Sequence, residues 1–303
     1  MTLTQGLILG ALQGISELFP VSSLAQTILL AALLGWDLHF EASDFLAFLV
    51  ALHLATAIAL LIYFWADWKR VLAAYLGSFK RGKLVYDQAS KFAWLLVAGT
   101  IIVGLVGLAF EKRLRNLFDQ RRYAWIVAAV LIANGLGMLA ADFFKRRAAR
   151  LSSPKSAAQP GPQGDDPAVD PPSEKRPAEN LTFIEGAAIG ATQTFALLPG
   201  ISRSGVTIAS GLLAGLSYEQ ASRFSFMLAT YVIGLAAALK VPSLLRHDAR
   251  PILWITIPSA LLAGVTAYLS TRFLMRYFRH HRLAPFAWYC IIFGAYALAM
   301  LRP

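Results

Sequence analysis

One short segment, Pro199–Thr207, combines helix-breaking residues with arginine, serine and threonine side chains, whose polar groups suit an anion. Gly200 lets backbone amides approach a ligand, and a helix that begins near Arg203 points its positive end at the break. The guanidinium of Arg203 has the bidentate geometry that suits phosphoryl oxygens. A charged side chain within an apolar hairpin costs free energy and is retained mostly where it has a function. The alternative is a simple kink whose arginine reaches the membrane–water interface. We therefore predict an anion site, to which further hydroxyl groups contribute: Ser202, Ser204 and Thr207.

A second segment, Gln13–Gln26, carries a carboxylate beside another helix break. Gln13 and Glu17 are four residues apart, so they share one face of a helix. Glu17 is the only acidic residue before Asp37, and its surroundings in the sequence are apolar. Such a carboxylate serves as a base, or as a ligand for a divalent cation that screens phosphate charge. A structural ion pair between Glu17 and Arg203 is the alternative, and it is compatible with either role.

These segments belong to a chain with the composition of a multi-spanning membrane protein. Hydrophobic residues make up 57% of its 303 residues and charged residues only 15%, against roughly 25% charged residues in soluble domains. Several apolar runs approach or exceed the roughly 20 residues that cross a bilayer as a helix. They are 44–65, 92–110, 123–144, 224–239, 252–270 and 284–301. We therefore predict an all-α, polytopic membrane protein.

The net charge of +11 does not indicate a nucleic-acid partner. The basic residues flank the apolar runs, with clusters at 69–83, 145–150 and 272–282. This is the pattern of cytoplasmic loop anchors and of contacts with membrane lipids. Because residues 1–67 contain no Lys or Arg, we predict that both termini lie outside. The sequence leaves open whether the chain forms a homo-oligomer.

The chain also contains an internal duplication. At an offset of 180 residues, polar residues and glycines of the first half recur in the second half, as in Gly10/Gly190, Gln13/Gln193, Ser22/Ser202 and Thr27/Thr207. Each repeat opens with a stretch, 4–34 or 182–216, that proline and serine interrupt near its middle. A proline there ends one helix before another begins. Because each half-helix is too short to span the bilayer, we predict two re-entrant hairpins.

Three spans follow each hairpin, and because three is odd, the second repeat is predicted to be inverted relative to the first. The first repeat covers 1–144 and the second 181–303. Between them lies 145–180, of which 152–180 is rich in Pro, Gly, Ala and Asp and cannot bury enough apolar surface to become ordered. We predict a disordered cytoplasmic linker there. The two hairpins then enter from opposite faces, which brings their polar breaks together near the midplane.

Taken together, the polar segments resemble the undecaprenyl-diphosphate phosphatases, the bacitracin-resistance family. That family shows a Q/E-x-x-x-E element running into a proline-serine-serine turn, which is similar to Gln13–Glu17 and Pro20–Ser23 here. Its later P-G-x-S-R-S-x-x-T element is similar to Pro199–Thr207, and Leu52–Thr56 is similar to a third, weaker stretch. The resemblance covers both repeats and leaves out the linker.

The resemblance implies an enzyme of the bacterial inner membrane that removes the terminal phosphate of undecaprenyl diphosphate, which regenerates the carrier lipid of peptidoglycan synthesis. It implies a divalent cation, Mg²⁺ or Ca²⁺, with Glu17 as acid/base or metal ligand and Gln13 in support. Ser23 is implied as nucleophile or phosphate ligand, and Arg203 as the group that stabilises the transferring phosphoryl charge. The remaining residues expected to bind substrate are Ser22, Gln26, His53, Gly200, Ser202, Ser204 and Thr207.

The chain departs from the family pattern at one place. Members have a glycine-histidine pair after the serines, where this chain has Ala25 and Gln26. Glutamine cannot accept a proton or form a phosphoenzyme, although it can hydrogen-bond an oxygen. His53 in the next span could substitute, or it could be a packed histidine. The alternative function is a polyprenyl-phosphate flippase or transporter, because inverted repeats with broken helices are a transporter architecture.

Overall fold

The computed structural model describes residues 1–36, 42–118, 123–152, 176–245 and 252–302. Within these ranges the chain is helical and contains no β-strand. The helices of the first half are α1 (Leu3–Ser16), α2 (Ser23–Leu33), α3 (Ala42–Tyr63), α4 (Trp65–Arg81), α5 (Gln88–Phe118) and α6 (Ala124–Ser152). Those of the second half are α7 (Phe183–Thr192), α8 (Arg203–Leu213), α9 (Tyr218–Leu245), α10 (Leu253–Tyr277) and α11 (Ala284–Met300). The predicted all-α fold is confirmed.

Most of the long helices are able to cross a membrane. In the described part of the chain, 5 are long and apolar enough, namely Phe45–Tyr63, Gln88–Ala109, Ala124–Ala149, Tyr218–Lys240 and Leu253–Tyr277. The shorter α11 has 17 residues, and at about 1.5 Å per residue it covers most of the hydrocarbon layer. Each of these helices overlaps one of the predicted apolar runs. The chain is therefore a multi-pass membrane protein.

The two predicted hairpins are pairs of short helices separated by a break. α1 and α2 flank the first break, which contains Pro20, and α7 and α8 flank the second, which contains Pro199. A short 3-10 helix, Gln193–Leu197, lies between α7 and the second break. Both hairpins begin in the same way, because Thr2 and Thr182 each accept a hydrogen bond of 3.2 Å from the backbone amide three residues later. These caps satisfy amides that would otherwise lack a partner.

The amphipathic helix α4 was not predicted. It follows α3 directly, and its buried side chains, Val71, Ala74 and Ser78, lie on one face. A row of large apolar side chains on another face is more than half exposed: Trp65, Leu72, Leu76 and Phe79. Its basic residues made this stretch resemble a loop between spans. Its apolar residues do not form a continuous run but recur at the spacing of one face of a helix.

The first helix of each hairpin packs against a span of the other repeat. α1 packs against α10, and α7 packs against α5. Glycine makes both approaches close, since a Cβ atom added at Gly10 would meet backbone atoms of Ser259, and one added at Gly190 would meet the backbone of Gly99. Gly10 and Gly190 are a pair from the sequence duplication, so the duplicated glycines serve the same packing purpose in both halves.

The last spans of the two repeats, α6 and α11, also pack reciprocally. A Cβ atom at Gly135 would lie 2.6 Å from the carbonyl oxygen of Ala287, and one at Gly294 would lie 2.9 Å from that of Ala128. This equivalence of contacts is consistent with two related repeats. In the described chain, three candidate spans separate the two hairpins, namely those in α3, α5 and α6. An odd number of spans is what an inverted second repeat requires. The inversion of the second repeat stays a prediction.

The predicted linker is described only at its two ends, because residues 153–175 lie outside the described part of the chain. At one end, α6 continues to Ser152, into the range predicted as linker. At the other end, Arg176 donates hydrogen bonds to Glu185 at 2.8 Å and to the carbonyl oxygen of Ala214 at 2.6 Å. These contacts attach the end of the linker to the second hairpin.

Candidate functional site

The two hairpin breaks border a common cavity of about 380 Å³. Its polar lining comes from both breaks and from α3, and includes Glu17, Ser22, Ser23, His53, Ser202 and Arg203. The structure thus brings together residues that are far apart in the sequence, as predicted from the meeting of the two hairpins. The remaining predicted site residues are not part of the cavity lining: Gln13, Gln26, Gly200, Ser204 and Thr207.

Glu17 lies at the centre of the polar contacts. It follows the last residue of α1, and one carboxylate oxygen, Oε1, accepts a hydrogen bond of 2.7 Å from Arg203 Nη2. The other oxygen, Oε2, accepts from Ser23 Oγ at 2.6 Å and from Gln13 Nε2 at 3.0 Å. The ion pair with Arg203 was one of the two interpretations of these residues. Because Ser23 also contacts the carboxylate, the arrangement pairs a hydroxyl group with a base.

Arg203 owes its position to the N-terminus of α8, of which it is the first residue. Ser202 caps this helix, with its hydroxyl accepting a hydrogen bond of 3.1 Å from the Gly205 amide. Burial holds the guanidinium in place, since only 15% of the Arg203 side chain is exposed. The positive end of α8 and the charge of Arg203 are therefore directed at the same cavity, which suits an anion.

The N-terminus of α2 also faces the cavity, but without a cap. Ser22 has a φ of 64° and makes no side-chain hydrogen bond to the amides of the first turn. A positive φ is strained for serine and is found mostly where the surrounding structure enforces it. Those amides therefore remain available to an anion, which is the geometry of phosphate sites at helix N-termini. Two helix N-termini, those of α2 and α8, thus converge on one cavity.

His53 reaches the site from α3. Its Nδ1 lies 2.8 Å from the carbonyl oxygen of Leu49, one turn earlier in the same helix. Its Nε2 lies 3.6 Å from Glu17 Oε2. A carbonyl oxygen accepts only, so Nδ1 carries hydrogen and Nε2 is directed at the carboxylate. His53 is thus a cavity residue that contacts Glu17, rather than a packed histidine.

Gln26, at the position where the resemblance leads one to expect histidine, is not part of the cavity lining. Its Nε2 donates to the carbonyl oxygen of Val21 at 2.9 Å, and its Oε1 accepts from the hydroxyl group of Tyr289 at 2.8 Å. Both ends of the amide therefore have a partner, and only 3% of the residue is exposed. The geometry gives Gln26 the role of joining the first break to α11. Its contact with substrate stays a prediction.

The other predicted residues support the second break. A Cβ atom added at Gly200, whose φ is +114°, would lie 2.7 Å from Val130 Cβ, so this position favours glycine for both conformation and space. Ser204 Oγ lies 3.0 Å from Ser202 Oγ. The hydroxyl group of Thr207 lies 2.8 Å from the carbonyl oxygen of Arg203 and also contacts Ser225 on α9. These residues fix the start of α8.

Sequence reasoning did not single out two further residues that line the cavity, Gln193 and Lys240. Gln193 Nε2 donates to the carbonyl oxygens of Gly99 and Gly190, whereas its Oε1 is buried and has no partner in the described structure. The amide orientation follows from the two carbonyl groups, which require a donor. The internal duplication pairs Gln193 with Gln13, and this was the feature of the sequence that could have indicated its place in the site. Lys240, near the end of a span, resembled an ordinary interface anchor.

The cavity offers hard oxygen donors rather than a preformed metal cage. Among the described residues, no group of three or more His, Cys, Asp and Glu side chains could hold a metal ion. Glu17 is the carboxylate of the lining, and hydroxyl groups of Ser22 and Ser23 lie in the same lining. Mg²⁺ is commonly bound by one or two carboxylates together with substrate phosphates. The donor set therefore fits a cation that is shared with a diphosphate.

The rest of the cavity is mostly apolar and extends in one direction. Its α3 residues, such as Leu46 and Leu49, lie in the first half of that helix, and its α9 residues, such as Ile233 and Ala237, lie in the second half. The opposite end of α9 meets the linker, where Arg223 donates to Glu179 at 3.0 Å. The cavity therefore extends away from the face on which the linker ends.

Comparison with known proteins gives matches along nearly the whole chain. Residues 6–296 match the family described as Bacitracin resistance protein BacA. An undecaprenyl-diphosphatase of Granulibacter bethesdensis is 44% identical over 306 residues, which cover 100% of this chain and 98% of the relative. One of Mycolicibacterium paratuberculosis is 42% identical over 99% of this chain and 98% of the relative. An undecaprenyl-diphosphatase 2 of Frankia alni is 41% identical over 97% and 96%, respectively. The matched residues include both hairpins.

Proposed function

The chain belongs to the bacitracin resistance protein family, and on this basis we propose that it hydrolyses undecaprenyl diphosphate to undecaprenyl phosphate and inorganic phosphate. Its relatives carry the name undecaprenyl-diphosphatase. The observation that carries the proposal within this molecule is the contact of Glu17 with both Ser23 and Arg203, at 2.6 and 2.7 Å. These contacts join a base, a hydroxyl group and a guanidinium group that suits phosphate in one partly buried cluster.

Glu17 supplies the base in this reaction. It takes a proton from the attacking oxygen, which belongs either to Ser23 or to a water molecule. A bond forms between that oxygen and the terminal phosphorus, while the bridging P–O bond breaks and undecaprenyl phosphate leaves. When Ser23 attacks, a water molecule then cleaves the phosphoserine. The short contact between Ser23 Oγ and Glu17 Oε2 supports the route through serine.

Arg203 and the two helix N-termini stabilise the phosphoryl group during transfer. Catalysis of phosphoryl transfer rests mainly on positioning and on charge stabilisation. The guanidinium group uses Nη2 for Glu17, and its fork can contact phosphoryl oxygens with the remaining donors. A divalent cation held by Glu17, the nearby hydroxyl groups and the substrate would neutralise further diphosphate charge.

The apolar part of the cavity suits the lipid end of the substrate. Side chains of α3, α5 and α9 form this part, including Leu49, Val103 and Ile233. A prenyl chain buried there gains roughly 25 cal/mol for each Å² of apolar surface removed from water. We place the enzyme in the bacterial inner membrane. With the linker predicted to be cytoplasmic, the cavity faces the outer leaflet.

The transport alternative lacks support. The relatives are named as diphosphatases, and a transporter has no use for the short contact between Ser23 and Glu17. Vesicles that contain the purified protein and undecaprenyl diphosphate distinguish the two functions. Hydrolysis yields lipid monophosphate and inorganic phosphate in equal amounts. Movement of the intact lipid between leaflets without phosphate release would overturn the proposal.

A further inference from the structure

A buried asparagine on α6 connects the two hairpin breaks. Asn134 is 4% exposed, and its Oδ1 accepts a hydrogen bond of 3.0 Å from the backbone amide of Ser202. Its Nδ2 donates to Cys290 Sγ on α11, at 3.6 Å. The thiol in turn donates to the carbonyl oxygen of Pro20 at 3.8 Å. A chain of polar contacts therefore runs from the second break through Asn134 and Cys290 to the first.

The same face of α6 supports the backbone of the second break. The glycine of that break, Gly200, packs against Val130 and the carbonyl oxygen of Val127. Asn134 lies one helical turn beyond Val130 on α6, so it presents its amide next to this packed contact. The result is that α6 fixes the second break by van der Waals contact at Gly200 and by a hydrogen bond at Ser202.

The amide bonded to Asn134 belongs to the residue that determines the start of α8. Ser202 is the N-cap of α8, and Arg203 is its first residue. A change in the backbone at Ser202 therefore moves the guanidinium relative to Glu17, which lies on the other hairpin. At the first break, the hydroxyl group of Tyr289 on α11 donates a hydrogen bond to Gln26. Thus α11 supports the first break as α6 supports the second.

We propose that Asn134 is a positioning residue for the hydrolysis, and that its side-chain amide sets the geometry in which Arg203 meets Glu17. This proposal rests on the proposed function. Asn134 acts through the Ser202 backbone and does not touch the substrate. Close packing of α6 with α11 does not require the amide, because glycines already make that contact at Gly135 and Gly294.

The test compares two variants at this position with a matched control. Asn134→Leu keeps the number of side-chain heavy atoms and the branch at Cγ but removes both the acceptor and the donor. Asn134→Asp retains an oxygen that accepts from the Ser202 amide. The control is Thr100→Val, since Thr100 is a buried polar residue whose hydroxyl donates to Leu96 of its own helix. For each purified protein the kcat and KM for undecaprenyl diphosphate and the Tm are measured.

A second measurement does not depend on activity. Hydrogen–deuterium exchange of the peptide that contains Ser202 reports the protection of its amide, which opening of the hydrogen bond removes. We expect Asn134→Leu to exchange this amide at least about tenfold faster and to lower kcat by about tenfold or more, with KM within about twofold and Tm near wild type. Asn134→Asp should restore most of the protection of the Ser202 amide, and Thr100→Val should match wild type.

Several results would overturn the positioning role. A kcat for Asn134→Leu equal to that of wild type would do so, as would activity that falls only in proportion to Tm. Failure of Asn134→Asp to recover protection would refute the assigned acceptor bond. Should wild type release no phosphate, the proposed hydrolysis fails first. The exchange data then decide separately whether Asn134 fixes the second break.

Discussion

Arg203 donates a hydrogen bond of 2.7 Å to Glu17, although 186 positions separate them in the chain. Each residue borders the break of a different hairpin, and both side chains are largely buried, with 15% and 7% exposed. Removal of one member of such a pair leaves an uncompensated buried charge, which destabilises the fold. Substitutions that preserve charge or shape are therefore the informative ones at these positions.

Arg203→Lys keeps the charge and removes the planar fork. Loss of a preorganised donor to the transition state typically costs about 10²–10³ in rate, so we expect a decrease of that size in kcat with little change in Tm. The matched control is Arg279→Lys, since Arg279 donates to Glu219 at 2.9 Å on the exposed surface. The account fails at this residue if both lysine variants turn over like wild type.

Ser23→Ala removes the hydroxyl group that donates to Glu17. If Ser23 is the nucleophile, we expect activity to fall by more than about 10³, since the oxygen that forms the bond to phosphorus is lost. Rapid acid quench of wild type with labelled substrate should then trap phosphate on the protein. Ser78→Ala is a suitable control, because the Ser78 hydroxyl donates to backbone carbonyl groups of Ala74 and Leu84 away from the cavity. Activity within about tenfold of wild type in Ser23→Ala would favour attack by water.

Gln26→Ala should lower turnover by about tenfold, equivalent to about 1.4 kcal/mol. The reason is the loss of the bonds to Val21 and Tyr289 that hold the first break against α11. Tyr289→Phe removes only one of these bonds and should show a smaller decrease in the same assay. Equal activity in wild type and both variants would mean that this link has no influence on the site.

Gly190→Val should destabilise the fold rather than the chemistry. Its Cβ atom would meet the backbone of Gly99, and over-packing costs about 1–3 kcal/mol. We expect a Tm several degrees lower than wild type. Gly137→Val is the control, since nothing lies within 4 Å of a Cβ atom at Gly137. Similar Tm values for the two variants would contradict the close approach of α7 to α5.

The sequence predicted the parts of the structure that depend on local pattern. Apolar runs located the spans, and the proline breaks with the duplicated glycines and serines located the hairpins. The meeting of Glu17 with Arg203 also followed, because two polar segments in a membrane protein lower their free energy when they contact each other. The helix α4 was missed because its basic residues, including Lys69 and Arg70, are typical of a loop and interrupt the apolar residues that recur at helical spacing.

Other features depend on tertiary contacts that no local pattern contains. Asn134 lies in an apolar run, and nothing in its neighbourhood indicates that its oxygen accepts from Ser202. The sequence also does not indicate that the Gln26 amide is bonded to Val21 and Tyr289. The orientation of the Gln26 side chain depends on α11, the helix packed beside it. Only the three-dimensional structure shows that these two elements are in contact.

The most direct measurement is the rate at which purified protein releases inorganic phosphate from undecaprenyl diphosphate in the presence of Mg²⁺, for wild type and Glu17→Gln in the same detergent. The variant keeps the shape of the side chain and loses the base. We predict steady release by wild type, a decrease of about 10²–10³ in the variant, and loss of wild-type activity when the cation is chelated. Equal rates for the two proteins, or no release by either, would contradict the account.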